Sequence, residues 1–309
     1  MPNHQFAVFA EGTRHHLHVE LKVVPTTTDG DLRDALSSAR TASEDHRTNG
    51  NVNVVIGLGP ATWDRVRPTT SAPSFQAFPG YESPDGEHRA QSTQADIWLW
   101  FHGPAPDVVL DEARKVLDSI GTAAEVVLDQ PGFVYHDSRD LTGFIDGTAN
   151  LFLDEAADAV VVPEGVPGAG GTYAMTMRFV HDLPAFEALP VDAQEAVMGR
   201  GKPTSSSLGP DKPTTSHIAR AEVADDEGEE MVVYRRSVPF ASATEQGLHF
   251  VSFGIDLERF DRQLMNMYGL AEDGLVDALL DFTNAGTGSF WFCPGRADLD
   301  VIAPLTSGD

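Results

Sequence analysis

Cysteine is almost missing: Cys293 is the single one in 309 residues. That excludes an intrachain disulfide and any zinc or iron–sulfur site built on thiolates. Cys293 falls in the apolar run Phe290-Trp291-Phe292-Cys293-Pro294 and reads as a buried structural thiol. Lysine is scarce too, with four residues (Lys22, Lys115, Lys202, Lys212) among 21 basic ones. Against them stand 47 acidic residues, for a formal charge of −26. Such an excess excludes a phosphate backbone or an anionic lipid surface as the main partner. No run of about 18 apolar residues is present, so no membrane span is expected. The start, Met1-Pro2-Asn3-His4-Gln5, has no basic region leading into an apolar stretch. The expectation is a cytoplasmic protein without a secretory signal.

What is present is enough apolar residue, 41%, for a sizeable core. Leu17, Val19, Leu21 and Val23 alternate with His16, His18, Glu20 and Lys22, the period of a half-buried strand. Strands are also predicted over 51–56, 95–101 and 125–128, and a helix over 107–120. In the run Ile97-Trp98-Leu99-Trp100 both faces must be covered. The second half repeats the rhythm, with strands at 173–179, 231–236, 248–255 and 289–292. Its helices are predicted in parts of 183–198, along 257–267 and over 275–282. Two halves of about 150 residues, each a sheet backed by helices, make a duplicated α+β unit. Residues 130–151, rich in Gly and Asp, join them. Residues 203–216 form a long loop without regular structure, of the kind that is functional or disordered.

Most of the eleven histidines read as inert. His4, His46 and His88 fall in polar loops. His16 and His18 share a strand face, but a polar one, so a solvated strand is expected there and not a metal site. Gly57-Leu58-Gly59 lacks the third glycine and the downstream acid of a dinucleotide fold, which leaves a plain turn. Glu227-Gly228-Glu229-Glu230 reads as a solvated turn. One constellation stands apart. Gly143-Phe144-Ile145-Asp146-Gly147-Thr148-Ala149-Asn150 sets a carboxylate between glycines, which let a backbone approach a flat ligand. Ser216-His217 follows the long loop, and Arg235-Arg236 ends a strand. Asp, His and Arg so placed mark a candidate metal or redox site, with ordinary turns and ion pairs as the alternative.

Gly143-x-x-Asp146-Gly147 resembles the GxxDG motif of the dye-decolourising peroxidase family. Gly170-Gly171-Thr172-Tyr173, His181-Asp182-Leu183, Met198-Gly199-Arg200, Ser216-His217, Arg235-Arg236-Ser237-Val238-Pro239-Phe240, Gly247-Leu248-His249-Phe250 and Gly288-Ser289-Phe290-Trp291-Phe292 extend the resemblance in order, over about 130–295. The whole is similar to the intracellular bacterial branch of that family. The resemblance implies two tandem ferredoxin-like domains, 1–140 and 141–309, each an antiparallel sheet packed with helices, with haem b, one per chain, in the second. It implies a peroxidase that reduces H2O2 and oxidises phenolic or dye-like donors in one-electron steps through a ferryl intermediate. The competing reading is a haem-handling protein that stores or releases the group. A homo-oligomer is also implied.

The residue roles come from the same resemblance. His217 is the expected axial ligand of the haem iron, with Asp277 on its other nitrogen and Asp281 as the alternative. Asp146 is the expected distal acid–base; an ordinary Asp titrates near 4, so an acidic optimum follows. Arg235 is expected to stabilise charge on the departing oxygen, and Ser237 to hold a distal water. Arg200 is expected on a propionate, with Gly147 and Thr148 against the cofactor. Two departures from the family pattern matter. Ala149 stands where Glu is common, so metal-ion oxidation there is not expected. Ser237 stands where Asn is common. The tail from Ile302 lacks an extended Gly-rich signal, so loading into an encapsulin shell is not expected.

Overall fold

The structure is a computed structural model, and it describes residues 3–47, 51–68 and 72–306. The first half runs β1 (His15–Val23), α1 (Asp29–Arg47), β2 (Asn53–Leu58), α2 (Pro60–Val66), β3 (Tyr81–Glu82), β4 (Arg89–Ala90), β5 (Ile97–Gly103), α3 (Pro106–Ile120) and β6 (Ala124–Phe133). The second runs α4 (Leu153–Val160), β7 (Thr172–His181), α5 (Leu183–Glu187), α6 (Val191–Met198), α7 (His217–Ala221), β8 (Tyr234–Arg235), β9 (Val238–Ala241), β10 (Gln246–Gly254), α8 (Glu258–Met267), β11 (Thr283–Cys293) and α9 (Arg296–Ile302). Among the described residues no helix is long and apolar enough to cross a membrane.

The strand order is β6-β1-β5-β2-β11-β7-β10-β8. Each half thus places its last strand beside its first, its first beside its third and its third beside its second, all antiparallel. This is the βαββαβ arrangement of a ferredoxin-like domain, made twice. The halves join through Phe292 opposite Leu58. Helices α1 and α3 cover one face of the first half over Val19, Leu21, Leu36 and Val116. Helix α8 covers the second half over Met175, Met177 and Phe290.

The remaining faces close on each other, and here one expectation fails. His16, His18 and Glu20 are 5%, 0% and 2% exposed. From His16 to Glu20 the polar face of β1 does not meet water; Lys22 at its end does. That stretch meets the second half, with the His18 and His249 rings 4.2 Å apart. The residues of that interior are held by stacking: His16 lies 5.7 Å from Trp100, and His18 lies 6.0 Å from Trp98. Strand β5 is buried throughout, as the run of tryptophans requires.

Other boundaries move for local reasons. Residues 130–133 complete β6 instead of opening the joining segment. The strand expected over 231–236 shrinks to Tyr234–Arg235, because the Met231 and Val232 N–H groups donate to the Val223 and Glu230 carbonyls and Arg259 takes the Val232 carbonyl. The helix expected over 275–282 is a 3₁₀ turn, Ala278–Phe282, capped by Asp277. Residues 203–216 are folded, with an Arg200–Ser207 bridge and a 3₁₀ turn at Gly209–Asp211. His46 falls in α1, and its side chain lies outside the described residues.

Candidate active site

His217 opens the short helix α7. Its Nδ1 lies 2.8 Å from Oδ2 of Asp277, which is 0% exposed. The other oxygen of Asp277 accepts the Leu279 N–H at 2.9 Å, and the Asp277 N–H donates to the Met267 carbonyl. A carboxylate only accepts, so Nδ1 carries the proton and the lone pair of Nε2 is left for an electron-pair acceptor. Ala278 N–H to the Thr215 carbonyl, 2.8 Å, ties the chain before His217 to the same turn. Asp281 does not compete: its side chain is 65% exposed and lies 3.3 Å from His88.

Asp146 sits on the loop before α4, with its N–H on the Ser138 carbonyl. Gly143 and Gly147 hold φ +89° and +79°, the left-handed region where a side chain is strained. A Cβ on Gly143 would also come within 2.7 Å of Lys202. Arg139 fastens this loop by donating to the carbonyls of Gly143 and Lys202, at 2.8 and 3.0 Å. Burial pushes the Asp146 carboxyl above the usual carboxylate range, opposed in part by Arg235. Asp140 adds to the upward push. Arg235 comes from β8, and its Nε is buried with no hydrogen-bond partner among the described residues.

His217, Asp146, Arg235, Arg200, Gly147 and Thr148 all line one cavity of about 1140 Å³, part of it open to solvent. Its apolar wall comes from Met175, Met177 and Phe179 of β7 with Leu248 and Phe250 of β10. Arg200 bonds the Ser205 carbonyl at 3.2 Å, while Glu222 stands off at 3.9 Å. The Thr148 hydroxyl pairs with that of Ser205 at 2.6 Å. Ser237 lines an adjoining cleft that Asp146, Gly147, Asn150 and Arg235 also line, and its hydroxyl meets the backbone of Val251 in β10.

Two features escaped the sequence reading. Asn150 donates to the Arg235 carbonyl and accepts its N–H, both at 2.8 Å, which welds the Asp146 loop to β8. Its place at the end of the glycine-rich stretch was visible, but its partner is 85 residues away. The second is Asp140, 8% exposed, which meets His181 Nε2 at 3.1 Å on the cavity wall. Burial pushes the Asp140 carboxyl up, but the bonds from His181 and Thr142 outweigh it and hold the group below the usual range. The Asp140-x-Thr142 spacing, in which the side chain accepts the N–H two residues on, was the available signal.

The cavity has one free imidazole nitrogen, an apolar wall for a macrocycle and an unpartnered guanidinium nitrogen, so these residues fit a haem.

Comparison with known proteins agrees. The Dyp-type peroxidase N-terminal and C-terminal family models match residues 7–134 and 137–298. The dye-decolorizing peroxidase of Brevibacterium linens is 33% identical over 263 residues, 84% of this chain and 70% of that protein. That of Mycobacterium tuberculosis is 33% identical over 82% of this chain and 77% of its own. Among solved structures, the dye-decolorizing protein from V. cholerae has a TM-score of 0.88 at 34% identity, covering 98% of this chain and 100% of its own. DyPB from Rhodococcus jostii has a TM-score of 0.86 at 29% identity, covering 97% and 98%. The chain belongs to the Dyp-type peroxidase family.

Proposed function

We propose that the protein is a haem b peroxidase that reduces H2O2 and oxidises small phenolic or dye-like donors. The observation that carries the reading is the buried Asp277–His217 pair on the wall of the cavity that Asp146 and Arg235 also line. A Rhodococcus jostii DypB variant has been solved in complex with heme. When bound, the group would supply the iron and the electron reservoir for peroxide reduction.

The chain's own residues do the rest. His217 holds the metal through Nε2, and Asp277 fixes its tautomer and makes it more basic. Asp146 takes a proton from bound peroxide and returns it to the departing oxygen. Arg235, held by Asn150, stabilises the negative charge that develops there. Arg200 pairs with a carboxylate of the cofactor, beside Gly147 and Thr148. Ser237 shares the adjoining cleft with Asp146 and Arg235, where its hydroxyl would hold a distal water. Because Asp146 titrates above the ordinary range, its base form is gained at a higher pH than an unperturbed Asp would require. The acid limb of peroxide reduction moves upward accordingly.

Stopped-flow mixing of the haem-loaded protein with peroxide tests these roles. Asp146→Asn and Arg235→Leu should keep the haem and slow peroxide reduction by about 10²-fold or more. Asp146→Asn should also erase the acid limb. Unchanged rates in both variants would overturn the assignment. Fast peroxide reduction in the parent protein separates an enzyme from a haem carrier.

A cytoplasmic homo-oligomer is the accompanying reading, with exposed Val126, Val127 and Phe152 available to a second copy. An encapsulated Dyp-type peroxidase from Mycobacterium smegmatis has a TM-score of 0.90 to this chain at 26% identity. Co-purification of this chain with a shell protein would show shell loading here. A DypB variant has been solved with manganese. Here the exposed cavity-rim residues Thr148 and Ala149 offer no carboxylate, so manganese oxidation at that rim is not expected.

A further inference from the structure

Three indoles lie in the interior between the halves, and peroxide reduction uses none of them. Trp98 and Trp100 come from β5 and Trp291 from β11, and each is 0% exposed. Trp98 stacks on Trp100 at 6.1 Å and 5°, and on Trp291 at 6.1 Å and 26°. Electrons can pass along such a stack; its two ends differ in charge.

At one end the Arg236 guanidinium lies 5.0 Å over the Trp100 ring. A cation against a π face makes an electron harder to remove from it. The Trp100 N–H is held by His16 Nδ1 at 3.1 Å, and burial, with Arg236 next, keeps His16 unprotonated down to about pH 3. At the other end the Trp291 N–H donates to Thr176 Oγ1 at 2.9 Å. That hydroxyl donates onward to Glu20 Oε1 at 3.1 Å, and Ser289 bonds the other oxygen at 3.3 Å. Among the described residues the Trp98 N–H has no partner. Trp291 is therefore the indole whose N–H proton has a hydrogen-bonded path to a carboxylate. Losing an electron makes an indole N–H strongly acidic, so such a path decides where an electron vacancy comes to rest.

The stack also lies close to the cavity. Thr176 sits between Met175 and Met177, which wall the cavity from the opposite face of β7. Successive side chains on a strand point to opposite faces, so one strand layer separates the two.

We propose that Trp291 is an internal one-electron donor to the peroxide-oxidised centre when no external donor is present. The indole gives its electron to that centre. Its Nε1 proton goes to Thr176 as the Thr176 hydroxyl proton goes to Glu20. The products are a neutral Trp291 radical, a protonated Glu20 and a centre reduced by one electron. An external phenol later supplies the electron and sheds its own proton to solvent, while Glu20 gives its proton back through Thr176 to Trp291. Burial pushes Glu20 up to about 7, which suits it to receive a proton near neutral pH. This inference rests on the peroxidase reading above.

The test is electron paramagnetic resonance of the haem-loaded protein, frozen after one equivalent of peroxide without donor. The expected signal is an organic radical whose hyperfine structure narrows when tryptophan is supplied ring-deuterated. It should be lost in Trp291→Phe and kept in Trp100→Phe. Thr176→Val, which keeps the indole and cuts the proton path, should lower its yield. If Trp291→Phe does not fold, ring deuteration and Thr176→Val carry the test. Peptide mapping after repeated peroxide should find added oxygen on Trp291. Peroxide consumption in the same samples separates the failures. No consumption refutes the peroxidase reading and this inference together. Consumption with no indole radical, or with one that survives Trp291→Phe, refutes this inference alone.

Discussion

Acid should loosen this fold from the inside. His16, His18, His102 and His249 are at most 5% exposed, between the two halves. Burial holds all four below 6.5; Arg236 adds to this at His16 and His102, Arg178 at His249, and the neighbouring histidines at His18. His16 and His249 are brought down to about 3. Below pH 6.5 the unfolded chain takes up protons that the folded one refuses. Stability is therefore intact above 6.5 and lost as pH falls toward 3. At about 1.4 kcal/mol per unit and proton, His16 and His249 each cost about 1.9 kcal/mol between pH 7 and 5, and His18 and His102 act in the same direction. Glu20 acts the other way. Its folded value is about 7, raised from 4.5 by burial, so acidification restores about 2 kcal/mol.

His16 and His249 against Glu20 alone leave a net loss of roughly 2 kcal/mol, to which His18 and His102 add, a sizeable part of the stability of many domains. Denaturant unfolding followed by circular dichroism at pH 5, 6, 7 and 8 measures it. Relief of repulsion within a chain of charge −26 works against the loss, so a variant is needed as reference. His249→Gln should shrink the difference between pH 7 and pH 5 by about 1.9 kcal/mol. An identical pH dependence in parent and variant would refute the reasoning.

Two further outcomes follow from the site. Asp277→Ala should weaken haem retention by about 10–100-fold in a spectral titration, because His217 loses the group that orients it. Asn150→Ala should leave haem affinity unchanged and slow peroxide reduction by up to about 10²-fold, because Arg235 loses both anchors of its backbone. Stopped-flow absorbance reads the second directly.

Much of the fold was legible because strand alternation and apolar spacing act locally. Strand β5 and helix α3 announce themselves by composition alone. Helix α1 does not: its buried face is largely alanine, Ala35, Ala39 and Ala42 beside Leu32 and Leu36, and small residues give a weak pattern. The histidine face of β1 misled for a different reason. Alternation shows that two faces differ, but not that the polar one closes on a second sheet. The site was legible where a motif is contiguous, as around Asp146. Asp277 needed the resemblance, since only the fold brings it across 60 residues to His217. Asn150 and Asp140 act on partners that no spacing rule connects. The departure at Ser237 was visible, but its engagement with Val251 was not.

The central claim is that His217 Nε2 is the metal-binding atom of a haem peroxidase. The most direct measurement is the absorption spectrum of the parent protein and of His217→Ala, purified from haem-supplemented cells, before and after one equivalent of H2O2. The expected result is a Soret band in the parent that shifts within milliseconds of adding peroxide, and a folded His217→Ala protein without the band. A folded parent protein with no Soret band, or a variant that keeps the band and its response to peroxide, would contradict it.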